Sequence, residues 1–134
     1  MNLNFKISEL IHSDRAINHN INNMPGVFEL DNLLNLIFYC LQPIRDKINK
    51  PMIITSGFRC PEVNMLVGGK SNSQHKKGQA ADFIIKGMTP AQIIKQISAF
   101  NIEYDQLINE YDKWVHISYV KGNNRRQPPF KIKK

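Results

Sequence analysis

The chain has 134 residues, 42% hydrophobic and 22% charged, a length and balance that suit one soluble globular domain with a real core and crowd two. No apolar run approaches the ~18 residues of a membrane span, and Met1–Lys6 lacks the basic cluster and apolar stretch of a secretory signal, so synthesis in the cytoplasm is expected. The formal charge of +7 favours an anionic partner, and six cations fall in a basic C-terminal tail at about 121–134, but no aromatic-interleaved platform or motif points to nucleic acid.

In chain order, Ile7–Ile11 reads as a brief helix that Ser8 can cap. An Asn-rich irregular loop follows from Asn18 to Gly26. Leu30, Leu33, Leu34, Ile37, Phe38, Leu41 and Ile44 then recur at helical spacing and predict one apolar stripe, bent or ended near Pro43. Cys40 falls inside that pattern as a small buried hydrophobe, and with Cys60 it makes neither a disulfide framework nor a metal motif.

Met52–Thr55 is β-branched and predicts a buried strand. Pro61–Asn64 opens a short helix that Gly68-Gly69 closes. Ala80–Ile85 predicts a second strand, and Thr89-Pro90-Ala91-Gln92 is a capping box opening a helix that turns Ile93, Ile94, Ile97 and Phe100 inward. Gln106–Glu110 and Trp114–Tyr119 predict a hairpin across Tyr111–Lys113. The sum is a single α+β domain over residues 1–134, with helices packed on a small antiparallel sheet.

Two segments carry chemistry. Ser73-Gln-His75-Lys-Lys-Gly78-Gln-Ala80-Ala-Asp82 and Trp114-Val-His116 together supply two imidazoles and a carboxylate. Catalytic zinc sites keep three such ligands and leave a fourth position open, whereas structural sites close with four, usually rich in cysteine. Asp82 sits in an otherwise apolar strand, where a bare charge is costly, so it is paired, hydrogen-bonded or metal-bound. His116 shares a strand face with Trp114 and Ser118. Taken alone, a strand Asp more often caps a turn and a strand His more often packs; their joint presence with His75 favours the metal.

Ser56-Gly57-Phe58-Arg59, Pro61–Asn64, Val67-Gly68-Gly69, the Ser73–Asp82 segment and Trp114–Ser118 resemble the zinc D-Ala-D-Ala peptidases, particularly their small single-domain phage and bacterial members. Phe5–Leu10, Leu41–Arg45 and Asn124–Gln127 also resemble that family, so the similarity runs from about Phe5 to Gln127. The resemblance implies a hedgehog/DD-peptidase-like fold, with His75, Asp82 and His116 as ligands of Zn2+. It implies that Arg59 positions substrate and that Ser73 donates to substrate or stabilises its loop.

Many members place a carboxylate three residues before the last histidine, where this chain has Lys113. A protonated lysine cannot accept a proton. The remaining candidates for general base are Glu110 and Asp112. If the hairpin uses a three-residue loop, Tyr111–Lys113, Glu110 pairs with Trp114 on the face of His116 and Asp112 sits exposed at the tip. A glutamate before the turn also resembles the pattern of the family's small single-domain members, and on these two grounds Glu110 is chosen.

The expected function is zinc-dependent hydrolysis of peptidoglycan stem peptides by a monomer, as a carboxypeptidase or an endolysin-type endopeptidase. The expectation includes neither nucleic-acid binding nor membrane insertion. The enzyme would act on the cell wall after release in phage lysis, or as a virion component, with its basic tail against the anionic wall. The alternative that Lys113 keeps open is a non-catalytic, zinc-stabilised wall-binding or virion-associated module.

Overall fold

The computed structural model describes residues 3–133. Helices α1 (Ile7–Ile11) and α2 (Asp14–Asn18) open the chain. Ser8 lies inside α1 rather than capping it. The cap position is Lys6, and Glu9 closes the turn by accepting from the Lys6 N–H at 3.0 Å. α2, which the sequence reading passed over, is capped by Ser13, whose Oγ accepts from Ala16 N–H at 3.1 Å. The Asn-rich loop is irregular from Ile21 onward, yet Asn23 within it is buried. Its side chain donates to the carbonyls of Ile11 and Phe58 and accepts from Cys60 N–H, fastening the loop to the first strand's exit.

The long helix runs as α3 (Val27–Leu36), a π turn at Ile37–Leu41 and α4 (Gln42–Ile48). Pro43 does not end it. Proline has no N–H to return to the previous turn, and the wider π turn ahead of it, in which Gln42 N–H reaches Ile37 O, absorbs the misfit. The helix stops at Asn49, in the left-handed region. Leu33, Ile37, Cys40, Leu41 and Ile44 are buried as expected, and Leu36 joins them. Leu30, Leu34 and Phe38 form a row along one edge of the stripe and stay partly exposed.

Five strands form one sheet in the order β1 (Ile53–Ser56), β2 (Ala80–Ile84), β4 (Trp114–Ser118), β3 (Leu107–Glu110) and β5 (Phe130–Ile132). The first four pair antiparallel, but β5 runs parallel to β3, so the sheet is mixed rather than antiparallel throughout. β1 is an edge strand with Ile53 exposed, not the buried strand expected. Between strands lie α5 (Pro61–Leu66), a 3-10 turn (Gln74–Lys77) and α6 (Pro90–Ser98), the last capped by the expected reciprocal Thr89–Gln92 bonds.

Alternation sorts the sheet. Ala81, Phe83, Val115 and Ile117 point into the core with Ile93 and Ile97 of α6, while Asp82 and His116 point to the other face. β5 braces the hairpin tip: Tyr111 N–H donates to Ile132 O, and Lys131 pairs with Asp112 at 2.6 Å. Part of the basic tail is therefore built into the fold. Among its cations Arg125 and Arg126 also have partners within the chain, Asp105 and Glu103. No helix of the described residues is long and apolar enough to cross a membrane.

Candidate metal centre

Three elements converge on one buried point. The 3-10 turn presents His75, β2 presents Asp82, and β4 presents His116 directly opposite Asp82 in register. One potential ligand atom from each lies within 4.8 Å of the others, and all three residues are buried. His75 Nε2 is 3.4 Å and His116 Nδ1 is 2.9 Å from Asp82 Oδ1. A tetrahedral ion bonded at about 2.1 Å spaces its ligands by about 3.4 Å, so the cluster is already near the dimension a zinc-sized ion needs.

The surrounding backbone orients these groups. His75 Nδ1 donates to Gly57 O at 2.7 Å, which turns the lone pair of Nε2 toward Asp82. Gly57 cannot be larger, since an added Cβ would sit 2.2 Å from Leu10 O. Gly78 ends the 3-10 turn at φ +73 and its added Cβ would meet Glu29 O at 2.3 Å. A glycine is thus required to seat this loop against α3. Ala80 and Ala81, which lead into Asp82, are fully buried.

Asp82 would be raised by burial alone, but the two imidazoles hold its carboxyl far below the usual carboxylate range. It stays ionised, as a ligand must. Arg59 stands beside it, with its guanidinium 3.7 Å from Asp82 Oδ2. The fork is aimed by two further contacts, Nε to Ser56 Oγ and Nη1 to Asn64 Oδ1, both at 3.2 Å. Asn64 is itself buried and donates to Lys70 O. The sequence reading missed Asn64. A polar residue on the inner side of a six-residue helix was the available signal.

Glu110 sits opposite Trp114, and its two oxygens divide their tasks. Oε2 accepts from the Trp114 indole N–H at 2.9 Å, while Oε1 lies 3.6 Å from His116 Nδ1. Burial and the nearby Asp82 charge push its carboxyl above the ordinary glutamate range. Asp112 is not part of this group. It lies exposed at the hairpin tip, bonded to Asn109 and Lys131. Ser73 turns inward to its own loop, where Oγ accepts from His75 N–H at 3.2 Å and caps the 3-10 turn.

A cavity of about 540 Å³ reaches the cluster at Asp82, with Arg59, Phe58, Val63 and Trp114 among its other walls. The site can thus hold a metal ion, keep a carboxylate and a guanidinium beside it, and admit a peptide-sized ligand. The model of a protein family described as Peptidase M15 matches residues 3–118 of the chain. No curated protein matches it.

Proposed function

The chain belongs to the peptidase M15 family, that of the zinc D-Ala-D-Ala peptidases, and from that premise we propose that it is a zinc-dependent hydrolase of peptidoglycan stem peptides. The observation that carries this reading is the buried His75–Asp82–His116 cluster with Glu110 and Arg59 on one rim. Two imidazoles and a carboxylate, with no fourth protein ligand among the described residues, are the donor set of a catalytic zinc centre. When bound, zinc lowers the pKa of a coordinated water to about 7 and polarises a carbonyl.

The rest falls to the chain's own side chains. Glu110 Oε1, free of the indole bond, accepts the proton of the attacking water and later delivers it to the leaving amine. Trp114 keeps the other oxygen still. Arg59 holds the substrate's carboxylate or its polarised carbonyl oxygen through its fork. Ser73 stabilises the loop of His75. We extend the reading to a monomer that reaches the wall after release in phage lysis or as a virion component.

The test supplies purified muropeptides and zinc and follows released D-alanine or a split stem by chromatography. Wild type should give product, and Glu110→Gln should lose about 100-fold or more in kcat while still binding zinc. No product from wild type, or full activity in Glu110→Gln, would overturn the assignment.

A further inference from the structure

The cavity at the metal centre is not the end of the groove. A second cavity of about 300 Å³ adjoins it, and the two share Ile84, Lys113 and Trp114 as lining. The second is largely apolar, with Met88, Pro90 and Ile93 in its wall. The second cavity lies on the α6 side of the sheet and meets the first at its edge, so a peptide that runs from the cluster past Trp114 also passes Lys113.

Lys113 differs from every other charged side chain in these walls. His12 pairs with Asp14, and Arg15 donates to Leu66 O. Arg59 and Asp82 face each other, and Asp112 is answered by Lys131. Among the described residues, the Lys113 ammonium has no ion pair or hydrogen bond. Its backbone, however, is fixed. Lys113 N–H donates to Glu110 O at 3.0 Å, closing a turn whose central residues Tyr111 and Asp112 both have positive φ, and β5 braces that turn. An exposed cation on a fixed backbone, without a partner among the described residues, is available to an anion the chain does not supply.

We infer that Lys113 is a specificity-determining residue that binds a carboxylate on the part of the substrate lying toward the second cavity. The inference rests on the peptidase reading of the site. An exposed pair of this kind is worth up to about fivefold in affinity.

The experiment uses Trp114, the single tryptophan of the chain, which lines both cavities beside Lys113. Zinc-loaded protein is mixed with a synthetic stem peptide, and quenching of Trp114 is read in the first milliseconds, before turnover. The peptide is used in three forms: all carboxylates free, side-chain carboxylate amidated, and C-terminal carboxylate amidated. Wild type should bind one of the amidated forms about fivefold more weakly, which identifies the carboxylate read. Lys113→Gln should lose that discrimination, Lys113→Glu should invert it, and Lys113→Arg should keep it. Equal discrimination in wild type and Lys113→Gln, or no saturable quenching with any peptide, would overturn the inference. Hydrolysis is scored separately on the same mixtures. Discriminating binding without cleavage would count against the catalytic reading and leave Lys113's role standing.

Discussion

Replacing Asp105 with Asn removes a charge on which three distant segments converge. The Asp105 carboxylate is 1% exposed and accepts from Arg125 N–H at 2.7 Å, from the Arg125 fork at 2.6 and 3.1 Å, and from Gln74 Nε2 at 2.9 Å. Ser118 Oγ approaches it at 3.5 Å, and its own carbonyl accepts from Gln127 N–H. Burial alone would raise this carboxyl, but the bonds from Arg125 and Gln74 bring it down from 3.8 to about 2. At about 1.4 kcal/mol per pH unit, that depression corresponds to about 2.5 kcal/mol of stability, or about 2 kcal/mol once screening of the exposed Arg125 is allowed for.

The sign follows from the direction. A carboxyl whose folded pKa is depressed contributes fully above its unfolded value and loses its contribution as pH falls from about 4 through about 2. Arg125 is 56% exposed, so solvent screening keeps the effect at this size rather than larger. At the usual unfolding entropy per residue, about 2 kcal/mol in a chain of 134 residues lowers Tm by about 7 °C. Urea unfolding followed through Trp114 fluorescence, at several values between pH 7 and pH 2, measures the loss and its pH dependence, and a thermal melt at pH 7 measures the Tm shift. Asp105→Asn should be less stable at neutral pH, and the gap to wild type should close toward pH 2. A gap below about 0.5 kcal/mol at pH 7, or one that stays constant as pH falls, refutes the reasoning, since a constant gap would reflect packing rather than charge.

Gly78→Ala combines a left-handed φ of +73 with a Cβ 2.3 Å from Glu29 O, and should cost about 3 kcal/mol in urea unfolding. Gly68→Ala is the control: its φ of +74 is similar but nothing lies within 4 Å of the added Cβ, so it should cost about 1 kcal/mol. Equal losses at the two positions would mean that Gly78 makes no steric demand. Removing metal with excess chelator should abolish hydrolysis. Zinc restored at 100 times its Kd should raise unfolding free energy by about 2.7 kcal/mol, a gain absent from His116→Ala.

Much of the site could be read from the chain because its determinants are local. The hairpin pairing of Glu110 with Trp114 follows from loop length and strand alternation alone, and those two rules separate Glu110 from Asp112. The Thr89 capping box and the Pro61 helix start are equally local. What the chain hid is set by tertiary partners. β5 is three residues long and follows two prolines, so nothing in its pattern marks it as a strand; it exists because β3 offers a free edge and Asp112 a partner for Lys131. The π turn before Pro43 solves a conflict between proline and a continuous apolar face, which periodicity alone cannot resolve. Asp105 escaped notice for a similar reason. It lies in an unremarkable polar stretch, and its partners Gln74, Ser118 and Arg125 are distant in sequence.

The charges around the cluster also explain why its rim matters as much as its ligands. Asp82 is nearly sealed, with two imidazoles and the Arg59 guanidinium around it. A divalent ion at this point brings more positive charge than Asp82 can balance while Arg59 stands 3.7 Å away. Glu110 supplies the second negative charge from the rim, but with Arg59 counted the loaded site remains net positive. A partly desolvated site of that sign favours whatever anion enters next, either the nucleophile or a carboxylate of the substrate. Lys113 extends the same bias along the groove toward the second cavity. On the proposed reading, metal binding, generation of the nucleophile and preference for an acidic peptide would all follow from one charge arrangement, in which Glu110 Oε1, outside the indole bond, is the oxygen placed to move a proton.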